Sequence, residues 1–195
     1  MRNLCNIPNF LTVFRLVFSP VVCKLILDRK YIFALFVFLF ASLTDFLDGF
    51  VARKMKKITN FGKILDPICD KVLVYSVMSC FLWSRLMSVW AFVVLLSRDF
   101  IISTIRVILA KQGTVCSANF FGKIKTFFQN LYIISIFIFE YLYNLYDKLG
   151  SSSFTFFRAL FANCSFIFLW SAVLFSVISL IICICENKDL LSKEF

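Results

Sequence analysis

From Phe166 to Cys185 the chain runs for twenty residues without one charged side chain. Wound as an α-helix at 1.5 Å per residue, such a stretch reaches about 30 Å, the thickness of a bilayer's hydrocarbon core. Tyr31–Ala41 is a second run that is apolar on nearly every side. A β-barrel would show short segments of alternating polarity, and these runs do not alternate. In hydrocarbon only helices and closed barrels satisfy their own backbone, so the runs predict an all-α, polytopic membrane protein. Composition agrees: 61% of residues are apolar and the mean hydropathy is +0.90, against roughly 45–50% apolar usage in soluble domains.

At about 20 residues per crossing, the sequence predicts six transmembrane helices near 10–28, 32–53, 65–84, 88–110, 124–146 and 159–185. They form a single integral-membrane domain over 1–195. Pro20 predicts a kink in the first span, since it removes a helix hydrogen bond. The N-terminal residues lack a small-residue cleavage site, and Arg15 interrupts the apolar run a signal peptide needs.

Basic residues set the orientation. Arg53, Lys54, Lys56, Lys57 and Lys63 follow the second span, and Lys111, Lys123 and Lys125 flank the turn after the fourth. The positive-inside rule puts both groups, and both termini, in the cytoplasm. Arg29, Lys30, Arg85, Lys148 and Arg158 then fall outside, but they are scattered over three loops. The net charge of +10 therefore reads as topology and anionic-lipid contact. No soluble domain remains to present a nucleic-acid surface, so no nucleic acid is expected as a partner.

Several chemistries are excluded by what is missing. There is no histidine, which removes His-dependent triads and most zinc sites. The eight cysteines form no C-x-x-C pair and read as small hydrophobes. Five glycines are too few and too dispersed for a glycine-rich phosphate loop.

Against this apolar background Asp45, Asp48, Asp66 and Asp70 stand out. On a helix Asp45, Asp48, Gly49 and Ala52 share one face, and Gly62, Asp66 and Asp70 share another at offsets of four. The short basic turn between them predicts that both faces converge at the cytoplasmic rim. Four carboxylates together in a low dielectric must protonate or bind cations. An oxygen-only donor set suits Mg²⁺ or Mn²⁺, and its size suits two ions bridged by shared aspartates. Pairing with nearby lysines is the plainer alternative, but Asp45 and Asp48 lie a turn or more inside Arg53. Gly49 and Ala52 fit either close approach of a ligand or helix–helix packing.

The pattern Asp45-x-x-Asp48-Gly49-x-x-Ala52-Arg53, followed by Gly62-x-x-x-Asp66-x-x-x-Asp70, resembles the signature of the CDP-alcohol phosphotransferase family at every position. The resemblance implies a six-helix membrane enzyme, a homodimer with two divalent cations, that transfers a substituted phosphate from a CDP-linked donor to an alcohol. It implies that Asp45, Asp48 and Asp66 are metal ligands and that Asp70 is both ligand and general base. Gly49, Ala52, Arg53, Thr59 and Gly62 would line the donor's nucleotide and pyrophosphate. Three further stretches, at 6–22, 97–113 and 120–126, resemble the branch of the family that uses CDP-diacylglycerol as donor and glycerol 3-phosphate as acceptor. Within the family another acceptor alcohol is the alternative; outside it, a cation transporter would explain buried acids but not this spacing.

An anionic acceptor also has support from the residues themselves. Arg98 and Arg106 sit in a fourth span that is apolar apart from them and Asp99, and a charge there is costly and commonly functional. With Lys123 and Lys125 they are candidates to hold the phosphate of glycerol 3-phosphate. The alternative for Arg98 is an ion pair with its neighbour Asp99. Asn9, Thr12 and Arg15 fit either substrate; Asn9 and Thr12 are assigned to the donor and Arg15 to the acceptor.

Overall fold

The computed structural model describes residues 7–55, 60–111, 120–149 and 154–187, and within them the side chains of 16–43, 71–107, 109, 120–146 and 159–187. Among the described residues the architecture is all-α, six helices and no strand. They are α1 (Ile7–Leu27), α2 (Tyr31–Met55), α3 (Asn60–Trp83), α4 (Val89–Lys111), α5 (Phe120–Leu149) and α6 (Phe154–Glu186). Each coincides with one expected span. The last two begin four and five residues before the apolar runs do, and α3 begins five before. Each of these expected spans starts within two residues after a charge, Lys63, Lys123 or Arg158, whereas the backbone winds through such a residue as readily. α1 continues through Pro20 as one helix.

The chain divides into two compact units. The first comprises residues 1–86 and 140–148, the second 87–139 and 149–195.

In the first unit α1 packs against both α2 and α3. Its described core is apolar, with Val22 and Ile26 from α1, Ala34 and Phe38 from α2, and Val77, Met78 and Phe81 from α3. α1 and α3 end in the same device. Arg29 donates its N–H to the Ile26 carbonyl and Lys30 to that of Leu25; Arg85 donates to Leu82 and Leu86 to Phe81. These paired bonds are Schellman caps, which require a left-handed residue just past the helix. Arg29 and Arg85 fill that place, each with φ 58°, where glycine is the commoner choice. Their Cβ atoms cost on the order of 1 kcal/mol each, partly offset because a cation at a helix C-terminus meets the negative end of the dipole.

In the second unit α4 packs on α6, with Ile102, Ile105 and Leu109 against Cys183 and Leu180. α5 lies on α6 through a ladder of rings. Phe121 stacks on Phe175 at 6.4 Å, Phe128 stacks on Phe175 at 5.6 Å, and Phe139 meets Phe161 at 6.2 Å. As the α5 number rises the α6 number falls, so the two helices run antiparallel.

α6 reverses the pattern of a soluble helix. Its exposed stripe holds Phe166, Trp170, Leu174, Val177, Ile181 and Ile184, while Ser165, Ala172, Ser176 and Ser179 are buried. Large apolar residues outward and small or hydroxyl residues inward is the arrangement that suits helices packed in lipid. Within α6, Ala159–Glu186, whose most apolar 18-residue window has a mean hydropathy of 2.7, is the one stretch among the described residues long and apolar enough to cross a membrane. Shorter apolar helical stretches are Leu16–Leu27, Tyr31–Leu43 and Lys71–Trp83.

Candidate metal and substrate site

The described backbone places Asp45, Asp48, Gly49, Ala52 and Arg53 inside α2, and Gly62, Asp66 and Asp70 inside α3. Helical winding puts Asp45 and Asp48 about one turn apart on α2, and Asp66 and Asp70 one turn apart on α3. The side chains of these residues lie outside those described, as do those of Asn9, Thr12 and Arg15 and the whole of Thr59. The donor chemistry itself fits a hard divalent cation: four carboxylates, each pair at helical spacing, with no nitrogen or sulfur ligand in the set.

The basic candidates fall into two groups. Arg98 and Lys125 are interior: Arg98 is 9% exposed and Lys125 0%, and Asp99 between them is 7% exposed. Arg98 Nη1 donates to Asp99 Oδ1 at 2.8 Å and Lys125 Nζ donates to Asp99 Oδ2 at 2.8 Å. Arg98 Nη2 donates to Ser179 Oγ at 2.5 Å. One carboxylate thus bridges two cations, and three helices meet at the junction. The ion pair of Arg98 with its neighbour is the arrangement observed. Lys125 is held the same way, from 26 residues further on.

Gly122 belongs to this junction. A Cβ there would stand 3.1 Å from Arg98 Nη2 and 3.4 Å from Ser179 Oγ, a tight fit that the guanidinium would have to relieve by a few tenths of an ångström. Among the described residues Arg98 Nε and Ser176 Oγ are buried without a hydrogen-bond partner. Asp99 as a bridge, Gly122 and Ser179 are participants that sequence reasoning did not pick out. The signal for Ser179 lay in its offset of three from Ser176 on a face that α6 turns inward.

Arg106 and Lys123 form the other group, and both are exposed. Arg106 is seven residues beyond Asp99, hence on the same face of α4 about 10 Å nearer its C-terminal end. Lys123 precedes Lys125 by two residues, so it points to the other side of α5. Lys123 and Lys125 therefore do not reach one pocket together from a single helix face.

The family model for CDP-alcohol phosphatidyltransferases matches residues 5–178. The chain belongs to the CDP-alcohol phosphatidyltransferase family. Among its relatives, the CDP-diacylglycerol–glycerol-3-phosphate 3-phosphatidyltransferase of Bacillus subtilis is 33% identical over 189 residues, 89% of this chain and 91% of that protein. Proteins of the same name from Aquifex aeolicus and Rickettsia prowazekii are 37% and 38% identical over 144 and 143 residues. Those alignments cover 73% and 71% of this chain, and 79% and 77% of the relatives.

Proposed function

We propose that this protein transfers the phosphatidyl group of CDP-diacylglycerol to glycerol 3-phosphate, giving phosphatidylglycerophosphate and CMP. The observation that carries the reading is the unbroken aspartate pattern of 45–70 in a chain that aligns along almost its whole length with an enzyme of that name.

In this reading Asp45, Asp48, Asp66 and Asp70 would hold two divalent cations, Mg²⁺ or Mn²⁺. Bound there, the cations would neutralise the donor's pyrophosphate and the charge developing on CMP. Asp70 accepts the proton of the acceptor's primary hydroxyl as that oxygen attacks the β-phosphorus. A new phosphorus–oxygen bond forms, the bond to the CMP oxygen breaks, and CMP departs with the electron pair. Gly49, Ala52 and Gly62 leave room for the nucleotide, and Arg53, with Thr59, Asn9 and Thr12, orients the donor. Positioning and fixed charge carry most of such a transfer.

The acceptor carries close to two negative charges and needs cations beside the metals. Arg106 and Lys123, exposed on α4 and α5, are the cations that receive its phosphate, with Arg15 as a further contributor. Arg98 and Lys125 stand behind them, engaged by Asp99.

The 195 residues act as one catalytic domain of six spans in the cytoplasmic membrane, as a homodimer with its active site facing the cytoplasm. The outward apolar and inward small faces of α6 support the membrane reading. So do the exposed Trp83 and Trp90 around the turn between α3 and α4, the placing that tryptophan takes at a membrane–water interface.

The test is an assay of the purified protein with CDP-diacylglycerol and a panel of acceptors. CMP release should depend on glycerol 3-phosphate; comparable turnover with serine or inositol would overturn the acceptor assignment. For orientation, single cysteines replacing Lys56 and Lys148 in a cysteine-free background should label from opposite sides. Labelling of both by an impermeant reagent from outside would contradict the six-span arrangement.

A further inference from the structure

Asp99 is a buried carboxylate with no part in the chemistry described above, yet it bonds two buried cations of the second unit. Its two oxygens face different partners: Oδ1 takes Arg98 Nη1 and Oδ2 takes Lys125 Nζ, each at 2.8 Å. Arg98 passes the connection on to α6 through Ser179. α4 is therefore joined to α5 by one arm of the junction and to α6 by the other.

Apolar surfaces alone fix such a joint poorly. In lipid there is no hydrophobic force driving helices together, and their relative height rests on packing and polar bonds. Sliding α5 by one residue would move Lys125 by 1.5 Å and turn it by about 100°. Both changes break its bond to Asp99. Gly122 narrows the tolerance further, because Arg98 Nη2 lies only 3.1 Å from where a Cβ would stand.

The exposed cations ride on the elements so fixed. Lys123 lies two residues from Lys125 on α5, and Arg106 two turns from Asp99 on the same face of α4. We propose that Asp99 is a positioning residue for the acceptor: through Lys125 and Arg98 it sets the place of Lys123 and Arg106 on the phosphate of glycerol 3-phosphate. This rests on the reading of those two residues as the acceptor clamp.

The sign of one kinetic change separates positioning from direct contact. Were Arg98 and Lys125 themselves ligands of the phosphate, Asp99 would compete with the substrate for them. Asp99→Asn would then free two cations and lower the KM for glycerol 3-phosphate. As a positioning residue, its loss raises that KM by at least about 5-fold, since displacement of a contact by an ångström is costly. The KM for CDP-diacylglycerol should stay within about two-fold, and turnover at saturating acceptor within about three-fold.

Asp99→Asn removes the negative charge that Arg98 and Lys125 both bond and can fail to fold. The triple variant Arg98→Met, Asp99→Leu, Lys125→Met removes every charge at similar volume, an exchange that often preserves stability. It should keep the thermal midpoint and still show the raised acceptor KM. A folded triple variant with the parent KM for glycerol 3-phosphate would overturn the proposal, as would a lowered KM in Asp99→Asn. Arg106→Gln and Lys123→Gln run beside them as controls. If those two leave the acceptor KM unchanged, the clamp reading itself has failed; if they raise it and the Asp99 variants do not, only the positioning role has.

Discussion

The acidic residues of α2, α3 and α4 live in two kinds of company. Asp45, Asp48, Asp66 and Asp70 come as two helical pairs on consecutive helices, α2 and α3; the nearest basic residues in sequence are Arg53 for the first pair and Lys63 and Lys71 for the second. Asp99 is the lone acid of α4, and two cations reach it at 2.8 Å, one from the next residue and one from α5. The comparison teaches how to tell a reactive acid from a structural one in a membrane. A carboxylate that brings its own cations is neutralised by the fold and becomes a joint. In the proposed reading the four aspartates of α2 and α3 instead hold external cations, and so become a site.

The largest effect expected from this contrast falls on the α2–α3 acids. Asp48→Ala or Asp66→Ala should slow phosphatidyl transfer at least ~10³-fold, as loss of a principal electrostatic stabiliser does. EDTA should abolish activity and Mg²⁺ or Mn²⁺ restore it. Full turnover in metal-free buffer would erase the distinction between the two kinds of acid, for it would mean that the four aspartates also work alone.

At Asp99 the expected effect is on stability. Removing one member of a buried ion pair costs about 3–5 kcal/mol, so Asp99→Asn should lower the thermal midpoint by roughly 10 °C. By contrast Asp48→Ala should leave the midpoint unchanged or raise it when no metal is present, because it relieves repulsion. A drop of the same size in both variants would place both acids in one class.

How much of this was legible without coordinates follows from the same contrast. The helices could be read because apolar length is a local property; where the sequence erred, at the starts of α3, α5 and α6, a charge in or just after the first turn, Lys63, Lys123 or Arg158, ends the apolar run that hydropathy follows. The aspartate faces could be read because offsets of three and four lie within single helices. The Asp99 junction could be read only in its shortest part, the contact between neighbours. Lys125 lies 26 residues from Asp99, and Ser179 lies 81 from Arg98, and nothing in the spacing announces such pairings. Nor did the chain advertise Arg29 and Arg85 as left-handed caps, since glycine is the signal that place ordinarily carries.

Those caps give the smallest prediction. Arg85→Gly should relieve the left-handed strain while forfeiting a favourable charge at the end of α3, for a net gain of about 0.5 kcal/mol. The midpoint would rise by roughly 1–2 °C. A fall instead would mean that the guanidinium contributes more to the first unit than its backbone costs.

The account's central claim is a division of labour, with donor and metals on α2 and α3 and the acceptor's phosphate on α4 and α5. Separate KM values for the two substrates in Arg106→Gln and Lys123→Gln test it most directly. Loss of a charge-assisted contact worth about 1.5–3 kcal/mol should raise the KM for glycerol 3-phosphate by roughly 10- to 150-fold, with the KM for CDP-diacylglycerol unchanged. A loss confined to the donor constant would contradict the account and move both residues to the nucleotide side.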